Sequence, residues 1–488
     1  MSLPTSLLKS NVPDDSSEND VRNQQCVRFW PDYRTMWRWH FYAGLLCIPI
    51  VIVLSISGAI YLFKSEIEAW NDWEYDHLAI ASSKHSAAEQ IRSALAAFPG
   101  STFSSYEIPK SATSAGRVIV RQDGKSIRAY VHPGTLEVLH TANDSERFMR
   151  QIFRLHGELW MGNRGSNLVE LTASWTIILI LTGLILWWPR NVRGLGGILY
   201  PRFHKGERIL WRDFHSVTGI WVSFLVLFLL VSGLPWAKFW GDYFRNVRVI
   251  TGTASARQDW SNSSDGSRSA RTEKTMGEHA DHGTGRSHAS QSNLSPAELK
   301  AIDTVLASVV PLNLSAPVVV SPPRKGTSEW PVKSMTPNRP FRENLVVDGS
   351  TGKVISRDGF WDRPVLDRIV AVGIAAHEGR LFGWPNQLLG MVAVLGLIML
   401  SLSGFVLWWR RREKGVLGAP ESFVSPRVSM GFLLLVLCLG IYLPLFGASL
   451  LLVLILERLV LRRIPPVQRW LGLQSCVSHS EPLTCLPP

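Results

Sequence analysis

Long apolar blocks constrain this chain more than any other feature. They fall at about 41–63, 168–188, 216–236, 387–409 and 428–461. A bilayer core about 30 Å thick is crossed by roughly 20 helical residues, so each of the first four blocks predicts one span. The fifth is interrupted by Pro444 and Gly447 and ends at Arg462-Arg463. As one helix it would be about 50 Å long at 1.5 Å per residue and would strand the Arg pair outside. A hairpin turning at Pro444 returns the pair to the inner side, which gives about six spans and at least five. Only 18% of the 488 residues are charged, below the roughly 25% of soluble domains. Secreted soluble enzymes and disordered proteins are excluded.

The net charge of +12 raises the question of nucleic acid, and the positions of the basic residues answer it. Arg34 and Arg38 precede the first block; Arg190, Arg193, Arg202, Lys205, Arg208 and Arg212 fill one connector; Arg410, Arg411, Arg412 and Lys414 fill another. This is the positive-inside distribution, which sets orientation and implies membrane lipid rather than nucleic acid as the partner. It divides the chain into a cytoplasmic tail (1–39), TM1 (40–64), an external module (65–167), TM2 (168–189), a basic loop (190–213), TM3 (214–236), a second external module (237–386), TM4 (387–409), a basic loop (410–427), the hairpin (428–463) and a cytoplasmic tail (464–488). The polar first 39 residues do not read as a cleaved export signal. Cys47 and Cys438 read as membrane core residues, and no Cys-x-x-Cys or Cys-x-x-Cys-His occurs.

The two external regions share a pattern. Residues 86–98 and 296–309 have amphipathic helical periodicity, and strand-like segments follow each (RVIVRQ and SIRAYV; APVVV and ENLVV). A turn and strand come next, from His132 and from Asp348, so two small α+β modules are expected. Between them 252–294 is rich in Ser, Gly, Arg and His and is expected to be a disordered external loop. Its His279, Asp281, His282 and His288 form a weak candidate for loose transition-metal binding, with solvated filler as the alternative.

The repeat extends into the spans. At an offset of 175, His40, Gly44, Ser57 and Gly58 match His215, Gly219, Ser232 and Gly233; at 221, His156, Gly162, Gly183, Trp187 and Trp188 match His377, Gly383, Gly404, Trp408 and Trp409. The chain is a tandem duplication of span, module and span. Positions i, i+4 and i+18 share a helix face, so His40, Gly44 and Gly58 form one stripe and His215, Gly219 and Gly233 another. An imidazole above side-chain-free positions leaves room for a flat, bulky ligand, and His nitrogen is a usual axial donor to haem iron. A single interfacial His would read as hydrogen-bonded filler; four repeated in register predict haem ligation. His40 and His215 lie at the inner ends of their spans and are natural partners. His156 lies 32 residues, about 48 Å of helix, before Trp188, so it is expected on a surface helix that a Gly break near 162–165 turns into the bilayer. His377 and Gly383 follow suit, which places a second pair at the outer interface. The Trp pairs read as an aromatic belt.

With these residues in hand, the chain resembles the PepSY-associated transmembrane family, the iron-regulated membrane proteins that include bacterial ferric-siderophore reductases. The matching elements are His40-x3-Gly44, Arg154-Leu-His156, Thr182-Gly183-x3-Trp187, Asp213-Phe-His215-x3-Gly219, His377-Glu-Gly-Arg-Leu-Phe-Gly383 and Trp408-Trp409-Arg410. The strand-turns at 129–139 and 345–355 are similar to PepSY modules, whose usual ending is Asp-Pro-x-Thr-Gly; the first has His132 and Leu136 at the Asp and Gly positions. The resemblance implies an inner-membrane electron conduit with about two b haems that reduces Fe(III), often siderophore-bound, on the periplasmic side. No Gly-x-Gly-x-x-Gly fingerprint opens a helix in a cytoplasmic segment, so the donor is expected to be a separate protein or a quinol. Two rival readings remain open: a PepSY-type regulatory or binding protein that restrains a peptidase or senses an envelope ligand, and an iron or siderophore transporter without redox chemistry. Against transport, the first four spans lack a mid-membrane carboxylate, Glu170 lying near an outer end.

Overall fold

The computed structural model describes residues 31–80, 83–189, 194–253, 294–420 and 428–473. The His279–His288 tract lies outside these residues. Among the described residues five helices are long and apolar enough to cross a membrane, and they account for four blocks and half of the fifth.

In chain order, α1 is Tyr33–Leu62, with Asp32 accepting from the Thr35 amide at its start. Two short helices, α2 (Lys64–Asn71) and α3 (Trp73–Asp76), lead into the first module. The module holds α4 (Ala87–Ala97) and four strands, β1 (Thr102–Glu107), β2 (Gly116–Gln122), β3 (Lys125–Val131) and β4 (Val138–Asn143). Then come α5 (Phe148–Glu158), α6 (Asn163–Trp187), α7 (Glu207–Gly233) and α8 (Lys238–Ile250). The second module repeats the first with α9 (Pro296–Val309), β5 (Val318–Val320), β6 (Glu329–Ser334), β7 (Asn344–Asp348) and β8 (Val354–Asp358). After it, α10 (Val365–His377), α11 (Trp384–Arg411), α12 (Met430–Tyr442), α13 (Pro444–Leu459) and α14 (Pro465–Leu471) complete the chain.

Both module helices begin with a capping box, Ser86 with Glu89 and Ser295 with Glu298, which satisfies amides that would otherwise lack partners. The modules are not two separate sheets, as the sequence pattern implies. They form one antiparallel sheet of order β4-β3-β2-β1-β5-β6-β7-β8. β1 and β5 join the halves, with Tyr106 opposite Val320 and Glu107 opposite Val319. α4 and α9 cover one face over a shared core that includes Ile91, Val118, Val120, Ile302, Trp330 and Val332. The other face carries the alternate residues, and in the first half these include a charged cluster. Buried Arg117 bonds Asp72 and Asp76, and Arg128 bonds Glu107 and Asp144, which straps α2 and α3 to the sheet.

Below the sheet, α1 packs on α6 and α11, and α7 packs on the same two, so four spans close a ring. Close approach needs small residues: a Cβ on Gly396 of α11 would stand 2.5 Å from Val222 of α7. The fifth block folds back on itself, with Gly440 against Gly447. Its turn meets Trp240, in the first turn of α8, and Trp175, at the middle of α6. Its far end returns to α1, where Arg38 and Tyr42 donate to the carbonyls of Gly472 and Leu471. At 13 residues, α12 is about 20 Å long, so this limb is shorter than the core it enters.

Candidate functional site

Each of the four repeat-matched histidines is seated on a helix other than its own. His40 of α1 meets α6, His156 of α5 meets α1, His215 of α7 meets α11, and His377, the last residue of α10, meets α7. Every seat is a hydroxyl residue followed by glycine: Thr182-Gly183, Ser57-Gly58, Ser403-Gly404 and Ser232-Gly233. The Nδ1 to hydroxyl distances are 2.9, 3.1, 3.1 and 3.1 Å, in the order His40, His156, His215, His377.

Those hydroxyls fix where the imidazole proton sits. A Ser or Thr hydroxyl has one hydrogen, and here it is donated up its own helix, from Thr182 to the Ile178 carbonyl, Ser57 to Val53, Ser403 to Met399 and Ser232 to Phe228. The hydroxyl oxygen then accepts from Nδ1–H. At His215 the Leu400 carbonyl, 3.2 Å from the same nitrogen, is an acceptor only and requires the same tautomer. Each ring therefore keeps a lone pair on Nε2, the state in which His ligates a metal.

The glycines make the seats possible. A Cβ would fall 3.3 Å from His40 Cε1 at Gly183, 3.1 Å from His156 at Gly58, 3.4 Å from His215 at Gly404 and 3.2 Å from His377 at Gly233. This corrects the stripe read from the sequence. Gly58 and Gly233 share a helix face with His40 and His215 but serve the opposite end, seating His156 and His377. A Cβ on Gly44 or Gly219 would make ordinary contact with Leu179 or Leu400, at 3.8 and 3.6 Å.

The rings meet in pairs across the duplication. His40 and His215 have centroids 6.3 Å apart at 85°; His156 and His377 are 6.5 Å apart at 72°. Two imidazoles on opposite sides of one metal, at about 2.0–2.1 Å per bond, place their ring centres about 6–6.5 Å apart. Among the described residues no group of three or more His, Cys, Asp or Glu is placed to hold a metal ion. A bare zinc would need four donors, whereas haem iron needs two axial ones, its macrocycle supplying the rest. The donor set, the tautomers and the glycine cradles fit haem.

Two levels result. α5 and α10 follow the last strand of each module, so His156 and His377 lie on the sheet side. The turns beyond them need left-handed backbone: Leu159, Trp160 and Gly162 have positive φ after α5, Gly379 and Gly383 after α10. The other pair lies toward the side where α14 docks. Seventeen residues separate His40 from Ser57 and His215 from Ser232, so the levels are about 25 Å apart along α1 and α7.

Other sequence candidates acquire local roles. The Trp187 and Trp408 indoles donate to the Ile198 and Leu417 carbonyls in the connectors that follow them, while Trp188 and Trp409 are exposed. Glu170, 2% exposed, accepts from the Phe239 and Trp240 amides, and Ser166 accepts from Lys238; together they cap the start of α8. His132 reproduces the turn of Asp348. Its Nδ1 accepts from the Gly134 and Thr135 amides as Asp348 Oδ1 does from Ser350 and Thr351. The Ser350 hydroxyl, the Thr351 amide and the Ser328 hydroxyl together hold the Asp348 carboxyl well below its usual range. Trp236, edge-on to His377 with centroids 5.7 Å apart, and the clamp of Arg380 and Gln387 on Glu66 and the Leu62 carbonyl escaped the sequence reading. The hydroxyl–Gly dipeptide recurring on four spans is the signal that marks the seats.

A multi-pass membrane protein, duplicated, with a shared antiparallel sheet at one end of its helices and two cross-repeat histidine pairs, is the class this architecture defines. The chain belongs to the family described as the PepSY-associated TM region, whose model matches residues 37–411. No curated protein matches the chain.

Proposed function

We propose that this protein is an inner-membrane, di-haem b-type electron conduit that reduces Fe(III), held in a siderophore, on the periplasmic side of a bacterial cell. The observation that carries the reading is the pairing of His40 with His215 and of His156 with His377, each ring donating from Nδ1 to its seat and each pair spaced for one iron. Haem bound at each level supplies a reversible one-electron carrier. The chain's own residues do the rest: the hydroxyl–Gly seats orient the imidazoles, the ring of four spans keeps water from the sites, and the sheet domain stands where a ferric chelate would dock. One electron enters on the tail side from a protein or quinol and leaves on the sheet side, turning Fe(III) into Fe(II), which hard siderophore oxygens hold poorly.

The capping role of Glu170 supports conduction over transport, because its carboxylate is committed to α8 amides. A regulatory role offers no use for four seated imidazoles. The test is the absorption spectrum of the detergent-purified protein before and after dithionite. Bis-imidazole b-type bands at about two haems per chain are expected; a protein that stays colourless after expression with ample haem overturns the reading.

A further inference from the structure

The outer pair has a neighbour that the inner pair lacks, a buried arginine supplied by the sheet domain. Arg339, 8% exposed, opens a single turn (Arg339–Phe341) that packs on α10. The preceding Asn338 donates to the Leu381 carbonyl, four residues beyond His377. The guanidinium carbon stands 5.7 Å from the centre of the Trp236 ring, and Trp236 in turn packs edge-on to His377. Tyr61 occupies the position that matches Trp236 in the first half. A buried guanidinium thus stands one ring away from an outer imidazole.

We propose that Arg339 is the carboxylate anchor of the outer site, binding a propionate of the haem held there. This rests on the haem reading above. Haem b carries two propionates, and a carboxylate at the edge of a low-dielectric site is costly unless matched by a cation. Arginine suits that task because its planar fork bonds a carboxylate through two parallel N–H groups and stays charged. Because Arg339 belongs to the module, such a bond would tie the sheet to the outer haem directly. A purely structural Arg339 would act through packing alone, its cation–π contact with Trp236 included.

The experiment compares haem with its dimethyl ester, which lacks the propionate charges, in full-length protein reconstituted in detergent. Wild type, Arg339→Gln and Arg339→Lys are each loaded with both. We expect Arg339→Gln to release one of the two haems at least tenfold faster than wild type and to lower that haem's midpoint potential, since a cation stabilises the reduced state. Arg339→Lys restores most of both, and with the ester all three proteins release alike. If Arg339→Gln costs as much with the ester as with haem, Arg339 acts through packing, and if it costs nothing with either, it contacts no propionate; either result overturns the proposal. Wild type that takes up no haem instead overturns the function proposed above.

Discussion

In the first half, His40 and His156 rest on Thr182-Gly183 and Ser57-Gly58; in the second, His215 and His377 rest on Ser403-Gly404 and Ser232-Gly233. These seats agree in residue type, hydrogen-bond partner and spacing. The ties that hold each half together do not. The sheet-side end of α1 is clamped by Arg380 and Gln387 on its Leu62 carbonyl, whereas beyond α7 the chain turns into α8, whose first amides are capped by Glu170. One PepSY turn is built on Asp348 and Gly352, the other on His132 and Leu136. Duplication kept the seats and let the scaffolding drift. Since every ring pair takes one histidine from each half, neither half can complete a site alone.

The largest test of that comparison is removal of single histidines. Replacing His40, His156, His215 or His377 with Ala should each lower the haem content from about two per chain to about one. The double change His40→Ala with His215→Ala should cost no more than either alone, because both remove the same site. His40→Ala with His377→Ala should leave the protein colourless. Equal losses in the two doubles would mean that the pairs are not the ligand sets.

Next come the hydroxyls. Ser57→Ala and Ser232→Ala, or Thr182→Ala and Ser403→Ala, leave an Nδ1–H with one acceptor fewer. Outer partners of metal-ligating His are worth about 10–100-fold in metal affinity, and a loss of that size in haem retention is expected at the matching level only. Identical effects from the two halves would support the equivalence of the seats. A Ser57→Ala protein that loses the haem of the His40 level would contradict it.

How much of this could be read beforehand depends on the range of the interaction. The spans, the amphipathic helices α4 and α9, and most strands follow from local periodicity and were legible. β1 was not, because Thr-Phe-Ser-Ser-Tyr-Glu lacks clean alternation, and β6 was not, because Pro331 sits within it. The fusion of two modules through β1 and β5 is a long-range edge pairing with no local trace. At the site, matching offsets revealed which residues recur, and the four histidines were found that way. Offsets relate equivalent positions, not touching ones, so the shared face of α1 points Gly58 to His40 although it seats His156. Arg339 and Trp236 belong to different elements and become neighbours only in the folded chain.

Among the divergent ties, Glu170 should matter more than any turn. Glu170→Ala leaves the Phe239 amide and that of buried Trp240 without their acceptor, a loss of about 1–3 kcal/mol, and should lower the thermal midpoint in detergent while the haem content at a permissive temperature is kept. Iron reduction abolished with the midpoint unchanged would instead assign Glu170 a role in moving charge. A smaller effect of opposite sign is expected at Leu136, whose φ of +61° places it where the second half has Gly352 at +73°. A left-handed non-glycine residue costs about 1–2 kcal/mol. Leu136→Gly should therefore stabilise the protein by about 1 kcal/mol once the loss of packing is set against that relief, and Gly352→Leu should destabilise it.

The smallest effect concerns the clamp on α1. Glu66 meets Arg380 through both carboxylate oxygens, at 2.8 and 2.6 Å, and accepts from Gln387. The Arg380 bonds, joined by that of Gln387, pull its carboxyl down to about 2. Its folded value lies below its unfolded one, so the contribution is complete above about 4.5, the ordinary Glu range, and is lost as pH falls through about 2. Half the Glu66 side chain is exposed, so water and salt screen most of the pair, and exposed pairs contribute about 0–1 kcal/mol. Between pH 5 and 8, Glu66→Gln should thus lower the thermal midpoint slightly and by a constant amount. Below pH 4 the gap between variant and wild type should close. A gap that widens on acidification would show that Glu66 is protonated in the folded protein and that the clamp on α1 works through Gln387 and the Leu62 carbonyl instead.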